Sequence, residues 1–178
     1  MERSILLGGF GGQGVQTIGK LLTYAANDAG CQVTFFPAYG GQMRGGTSNC
    51  TVVVSDDKPI ASPSRKSYDY IIALNEPSYK LFRSQINPGG TIIINSDLVH
   101  VEEEPENVSL VRIPLNTLAD EVGSAKVMNV IMLAFISKYF PLIPKEYLQE
   151  TVRKKLGKKE AFIEMNNRAF AVGLEYEA

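Results

Sequence analysis

Cysteine is scarce in this chain. Cys31 and Cys50 are the two cysteines among 178 residues, and neither belongs to a C-x-x-C pair. Protein-bound iron–sulfur clusters and cysteine-ligated zinc need several thiolates at close spacing. We therefore expect no metal or cluster to be held by this chain alone. The low cysteine content also favours a reducing compartment, so we expect a cytoplasmic protein.

Excess charge and long apolar runs are lacking too. The 18 basic and 19 acidic side chains leave a formal net charge of −1, which provides no general attraction to nucleic acid or to anionic membranes. No apolar run approaches the roughly 20 residues of a membrane span, and the N-terminus begins with a strand pattern instead of a signal peptide. The lone histidine, His100, has no nucleophile near it in sequence and is expected to be incidental. We expect neither nucleic-acid nor membrane partners.

A strand, a glycine-rich loop, a helix and a second strand open the chain. The apolar run 4–7 ends in glycines, and an apolar stripe at helical spacing follows from Val15 to Ala29, with Gly30 in the position of a helix C-cap. The stretch CQVTFF (31–36) is strand-like. Such a unit predicts that the first two strands run parallel to each other.

Strands and helices also alternate in the rest of the chain. Strand patterns occupy 49–55, 69–75, 91–95 and 110–114, a helix with Pro77 in its first turn occupies 76–86, and NPGG (87–90) predicts a tight turn. The C-terminal part is helical, and residues 125–140 are apolar on nearly every side, which predicts burial. We predict a single domain over residues 1–178, a three-layer α/β/α fold with a Rossmann-like, mostly parallel or mixed sheet.

The first glycine loop, residues 8–14 (GGFGGQG), allows three interpretations. Gly9, Gly11 and Gly14 have the G-x-G-x-x-G spacing of dinucleotide-binding loops, but no Asp or Glu occurs between Cys31 and Ser55 to bind a ribose. The glycines can instead serve a tight strand-to-helix turn, or allow another backbone or a ligand to approach closely. Calorimetric titration of the isolated chain with NAD and FAD would show whether it is a free-standing nucleotide-binding protein.

The second glycine loop, residues 37–48 (PAYGGQMRGGTS), follows the second strand and should lie at the same edge of the sheet as the first. Tyr39, Gln42 and Arg44 offer an aromatic ring, an amide and a cation to a partner or ligand, although a solvated polar loop is the alternative. Asn75 ends a strand at the same edge, either as a helix cap or as a contact residue. Cys50, in the strand that follows, is expected to be a small buried hydrophobe.

Four stretches together resemble one known family. GGFGGQGVQTIGKLL, FFPAYGGQMRGGTSNCTVVVSDDKPIASP, IIALNEPSYKLF and INPGGTIIINSDLV are similar to the gamma subunit, or gamma domain, of 2-oxoacid:ferredoxin oxidoreductases. The C-terminal KVMNVIMLAF and MNNRAFAVG fit as well, so the resemblance covers essentially the whole chain.

The resemblance implies an enzyme complex that converts a 2-oxoacid and coenzyme A to acyl-CoA and CO2 and reduces ferredoxin. Thiamine diphosphate, magnesium and iron–sulfur clusters would lie on the alpha, beta and ferredoxin-like delta subunits, which are the implied partners. The gamma chain would bind no cofactor tightly and would be inactive alone, and a homodimer is the candidate state of the isolated chain. In the complex it would contribute to subunit assembly and to the coenzyme A side of the active site. We expect 2-oxoglutarate as the substrate, before a branched-chain oxoacid or pyruvate. A purely structural assembly subunit is the remaining alternative.

The contact residues expected for coenzyme A or the partner subunits come from both glycine loops and the strand end at Asn75, and no residue is assigned a catalytic role. These candidates are Gly11, Gly12, Gln13, Gly14, Tyr39, Gly40, Gln42, Arg44, Gly45, Gly46 and Asn75.

Overall fold

The computed structural model describes residues 1–39, 46–157 and 160–178. Its strands are β1 (Glu2–Phe10), β2 (Gln32–Tyr39), β3 (Thr47–Ser55), β4 (Tyr68–Ala73), β5 (Ile86–Asn95) and β6 (Ser109–Ile113). Its α-helices are α1 (Val15–Asp28), α2 (Glu76–Phe82), α3 (Leu115–Val122), α4 (Met128–Ile136), α5 (Lys145–Leu156) and α6 (Glu160–Glu175). Short 3-10 turns cover Arg83–Gln85 and Ala125–Val127.

The strands form one six-stranded sheet in the order β2-β3-β1-β4-β5-β6. The pairs β1–β4, β4–β5 and β5–β6 are parallel, whereas β3 pairs antiparallel with both β1 and β2. The predicted parallel direction of β1 and β2 is therefore confirmed, but β3 lies between them. The mixed, mostly parallel sheet confirms the predicted fold class.

The two faces of the sheet are covered unequally. The apolar stripe of α1 packs with one sheet face, together with the helical layer that α3, α4, α5 and α6 form. On the other face, α2 packs against β1 and β4 through Tyr79 and Phe82. The helical C-terminal part therefore lies mainly on one side of the sheet, and α2 lies on the other.

The most apolar segment of the chain becomes the centre of the helical layer. It begins as the 3-10 turn Ala125–Val127 and continues as α4, whose residues Val130–Ile136 are buried. Contacts from α1, α3, α5 and α6 surround it. A helix without a polar face needs such enclosure, so the predicted burial is confirmed.

The NPGG stretch differs from the prediction of a turn before a strand. The strand β5 already begins at Ile86, and NPGG forms an irregularity inside it, because Tyr68 pairs with Ile86 whereas Tyr70 pairs with Thr91. Gly89 has a φ of 77°, a conformation that glycine adopts without strain, and its N–H donates to the carbonyl of Asn107 at 2.7 Å. The glycine-rich turn is thus absorbed into the strand as a bulge.

Cys50 is fully buried between β3 and α1, where its Sγ lies 3.6 Å from the carbonyl oxygen of Val15. This position confirms the expected small, buried, hydrophobic residue, and burial raises the pKa of its thiol to about 12. We expect alkylation by iodoacetamide at pH 8 to leave Cys50 unmodified in the native protein, and to modify it once the chain is unfolded in denaturant. Peptide mass spectrometry measures both; rapid native labelling of Cys50 would contradict the burial.

Candidate functional site

The two glycine loops meet at the carboxyl edge of the sheet. β1 ends at Phe10, which pairs with Thr47 at the start of β3, and the N–H of Gly11 donates to the carbonyl oxygen of Gly46 at 3.1 Å. The expectation that both loops share one edge is therefore confirmed for the described residues. β2 ends at Tyr39, whose backbone pairs with Ser48. The candidates at residues 40–45, which are Gly40, Gln42, Arg44 and Gly45, lie outside the described residues.

Two glycines of the first loop are required by packing. A Cβ on Gly8 would lie 2.9 Å from both the Phe82 ring and the Ser78 side chain, because α2 crosses β1 closely at this point. A Cβ on Gly9 would lie 2.8 Å from a methyl group of Val15. Contacts within the chain thus account for both residues, and no external ligand is needed to explain them.

Two further glycines of this loop are required by backbone conformation. Gly12 and Gly14 have φ angles of 103° and 85°, in the left-handed region that L side chains rarely adopt. Gly14 immediately precedes α1, and a Cβ there would also lie 3.3 Å from the Cβ of Asn129. The tight strand-to-helix turn therefore explains these positions, while Gly12 is exposed with open space around it.

Gln13 ties the first loop to the neighbouring strand. Its Oε1 accepts hydrogen bonds from the N–H of Phe10 and from the Nδ2 of Asn75, both at 2.7 Å, and its Nε2 donates to the carbonyl of Leu74 at 3.2 Å. The side chain thereby bridges the carboxyl ends of β1 and β4. In open α/β sheets, nucleotides bind in the crevice between such strand ends. Here Gln13 spans it, which weighs against the dinucleotide interpretation.

Asn75 is a helix cap at this edge. It is 3% exposed, and its Oδ1 accepts the N–H of Ser78 in the first turn of α2 at 2.9 Å. Its amide nitrogen is used by Gln13. The cap interpretation is confirmed, and a contact of Asn75 with a ligand or partner stays a prediction.

A side chain also holds the start of α1 to the sheet. Gln16 donates from Nε2 to the Oγ of Ser48 at 3.0 Å and to the carbonyl of Asn49 at 2.9 Å, which holds the helix to β3. Among the residues that the structure describes, no side chain caps α1, and the first turn of this helix carries no acidic residue. The partial positive charge of this helix end is therefore not neutralised by a local carboxylate, and the backbone there is suited to an anion such as a phosphate.

Two polar side chains at this edge escaped the sequence analysis. Gln16 is one, and Asn95 at the end of β5 is the other: its Nδ2 donates to Asn116 at 2.8 Å, and its Oδ1 accepts the N–H of Leu115 at the start of α3 at 3.1 Å. The runs IIALN and TIIIN both end in asparagine at the end of a parallel strand. That repeated ending was the available signal for a second helix-anchoring asparagine.

One charged side chain at this edge forms an ion pair at the protein surface. Glu76 follows Asn75, and its hydrogen bond and ion pair with Lys80, at 2.5 Å, hold the pKa of that carboxyl below its usual value. Such an exposed pair contributes little stability. His100 is exposed, as expected. Within residues 1–39, 46–157 and 160–178, no cluster of three or more His, Cys, Asp or Glu side chains is placed to hold a metal ion.

Among the helices that the structure describes, none combines the length and the apolar character that a membrane crossing requires.

Comparison with known proteins places the whole chain in one family. The model of the pyruvate ferredoxin/flavodoxin oxidoreductase family matches residues 4–176. The 2-oxoglutarate synthase subunit KorC of Methanocaldococcus jannaschii is 32% identical over 98% of this chain and 94% of its own length. The ketoisovalerate oxidoreductase subunit VorA of Methanothermobacter thermautotrophicus is also 32% identical over 98% of this chain. The chain spans only 36% of that VorA relative.

Solved structures agree with the sequence matches. The gamma subunit of a keto/oxoacid ferredoxin oxidoreductase from Geobacter sulfurreducens has a TM-score of 0.82 at 28% identity, covering 97% of this chain and 96% of that one. The 2-oxoglutarate:ferredoxin oxidoreductase from Magnetococcus marinus, solved with 2-oxoglutarate, coenzyme A and succinyl-CoA, has a TM-score of 0.87 at 27% identity, with 97% of this chain matching 30% of that one. This chain belongs to the pyruvate ferredoxin/flavodoxin oxidoreductase family, as a gamma subunit of the 2-oxoacid:ferredoxin oxidoreductase type.

Proposed function

We propose that this gamma subunit serves a complex that oxidatively decarboxylates 2-oxoglutarate. The reaction consumes the oxoacid and coenzyme A, releases succinyl-CoA and CO2, and transfers two electrons to ferredoxin. The choice of oxoacid is supported by the KorC relative, a 2-oxoglutarate synthase subunit matched over 94% of its length. It is further supported by the Magnetococcus enzyme that binds 2-oxoglutarate, coenzyme A and succinyl-CoA.

The junction of the two glycine loops supports the role we propose for this chain within the complex. The hydrogen bond from Gly11 to Gly46 joins the first loop to the described carboxyl side of the second, and this observation carries the proposal. Beside it, the uncapped start of α1 fits an anionic group, since helix N-termini bind phosphates through backbone N–H groups. Coenzyme A carries such phosphates. The loops would therefore contact coenzyme A and the catalytic subunits.

The cofactors of the reaction would reside on those partners. Thiamine diphosphate supplies the carbanion chemistry of decarboxylation, and iron–sulfur clusters carry the electrons. The two cysteines of this chain do not form a cluster-binding set, and one of them is buried against α1. This chain would bind and orient coenzyme A and would exclude water. The alpha, beta and delta subunits would perform the redox chemistry.

A purely structural assembly subunit is the competing function. It is favoured by one observation: Gly8, Gly9, Gly12 and Gly14 all have reasons within the chain, either packing or backbone conformation. A structural role predicts that this subunit changes the yield of the complex but not its affinity for coenzyme A.

The test is the activity of the complex of co-expressed alpha, beta, gamma and delta subunits with three oxoacids. We expect kcat/KM for 2-oxoglutarate to exceed the values for 2-oxoisovalerate and pyruvate by at least about tenfold, a factor that one pocket contact can supply. Ferredoxin reduction and acyl-CoA formation are measured in parallel.

The matched control is the complex of the alpha, beta and delta subunits without this chain. We expect its KM for coenzyme A to be higher. An equal KM for coenzyme A would contradict the binding role and favour pure assembly. A preference for another oxoacid would contradict only the substrate assignment.

A further inference from the structure

We propose that Gln13 is a positioning residue for Gly46, on the carboxyl side of the second glycine loop. It would act through the backbone of Gly11, which holds the carboxyl end of that loop at Gly46. The functional consequence rests on the proposed function, in which the second loop contacts coenzyme A or the catalytic subunits. The structural consequence, which is the position of Gly46, does not depend on the proposed function.

The first step is the fixed geometry of Gln13. Three hydrogen bonds hold its half-buried side chain, two to Oε1 from Phe10 and Asn75, and one from Nε2 to the carbonyl of Leu74. The backbone N–H of Gln13 also donates to the carbonyl of Phe10 at 3.1 Å. Two hydrogen bonds between Phe10 and Gln13 thus close this four-residue tetrad, one through the backbone of Gln13 and one through its side chain.

The second step is the connection to the other loop. Gly11 lies inside the closed tetrad, so the direction of its N–H is set by the two closures. That N–H donates to the carbonyl of Gly46, next to the start of β3. At the other end, Tyr39 is held by its pairing with Ser48. The backbone at Tyr39 is therefore held by strand pairing, and Gly46 also depends on the conformation that Gln13 maintains.

The chemistry of glutamine suits this position. The site needs an acceptor for two donors and, on the same side chain, a donor for the carbonyl of Leu74. A carboxylate in Gln13→Glu keeps the acceptor but directs an oxygen at the Leu74 carbonyl, and Gln13→Ala leaves the Phe10 and Asn75 donors without this partner. Leaving a buried donor without a partner costs more free energy than a typical hydrogen bond contributes to stability.

The experiment measures Gln13→Ala in two ways. In the full chain, we expect amide hydrogen exchange at Gly11 to accelerate about tenfold, the factor for loss of roughly one buried hydrogen bond. In the assembled complex, KM for coenzyme A should rise by a similar factor while kcat changes less than twofold.

The matched control is Asp97→Ala, just after β5, where the carboxylate accepts hydrogen bonds from the N–H and Oγ1 of Thr117 in α3 at 2.9 and 3.0 Å. This control should lower stability without changing exchange at Gly11 or KM. Unchanged exchange at Gly11 in Gln13→Ala overturns the positioning role. Faster exchange with unchanged KM keeps the positioning role and contradicts the proposed contact of the second loop with coenzyme A.

Discussion

Replacing Arg44 with alanine should lower acyl-CoA formation by the assembled complex by about 10- to 100-fold in kcat/KM for coenzyme A. The guanidinium of Arg44 is permanently charged, and it can bind a phosphate or carboxylate through two parallel hydrogen bonds. Loss of a charge-assisted hydrogen bond at a desolvated contact corresponds to a factor of that size. The measurement is steady-state kinetics of the purified complex with varied coenzyme A.

The fold of the subunit should barely change in Arg44→Ala, with a shift in unfolding temperature of under about 2 °C. Arg168→Ala, at an exposed position of α6, is the matched control and should leave both kinetics and stability unchanged. Arg44→Lys separates charge from geometry, because lysine keeps the cation and loses the planar fork. Normal turnover by Arg44→Ala in a normally assembled complex would eliminate the proposed role.

Replacing Gly173 with alanine should destabilise the subunit by about 3 kcal/mol, because overpacking a rigid helix crossing forces backbone shifts. A Cβ at Gly173 would overlap the carbonyl oxygen of Ile131 in α4 and lie 2.9 Å from the Cβ of Ala134. The obstacle is backbone of a fully enclosed helix, which cannot rotate away as a side chain can. Thermal unfolding should shift downward by roughly 6–12 °C.

Asn167→Ala is the control for Gly173→Ala, because Asn167 is exposed on the same helix. Its effect should stay within about 0.5 kcal/mol, the usual range for surface substitutions. A Gly173→Ala variant as stable as this control would show that α4 and α6 can separate without cost.

Periodicity in the chain was sufficient to predict most elements. The stripe from Val15 to Ala29 became α1, and Gly30, with a φ of 82°, follows the helix end as a C-cap glycine does. Local chemistry carries such signals, since a residue three or four positions away lies on the same helix face. The position of β3 between β1 and β2 could not be predicted, because strand order depends on contacts between residues far apart in sequence.

The sheet edge at which the described candidate residues meet was predicted more completely than the contacts that these residues make. Strand direction alone brought the first glycine loop, the end of β2 and Asn75 to one edge. The roles of Gln13 and Asn75 required the tertiary structure, since both use their amides within the chain. An amide in a loop has the same sequence signature whether it binds a ligand or a neighbouring strand.

The sequence by itself determined the α/β class, the helical C-terminal part and the family resemblance, because these depend on local periodicity and on the combination of two glycine motifs. Only the tertiary structure decided why the glycines of the first loop are required. Gly8 lies against Phe82, which is 74 positions away, and Gly14 lies against Asn129. Contacts of that separation are set by the packing of helices on the sheet, and no local pattern encodes them.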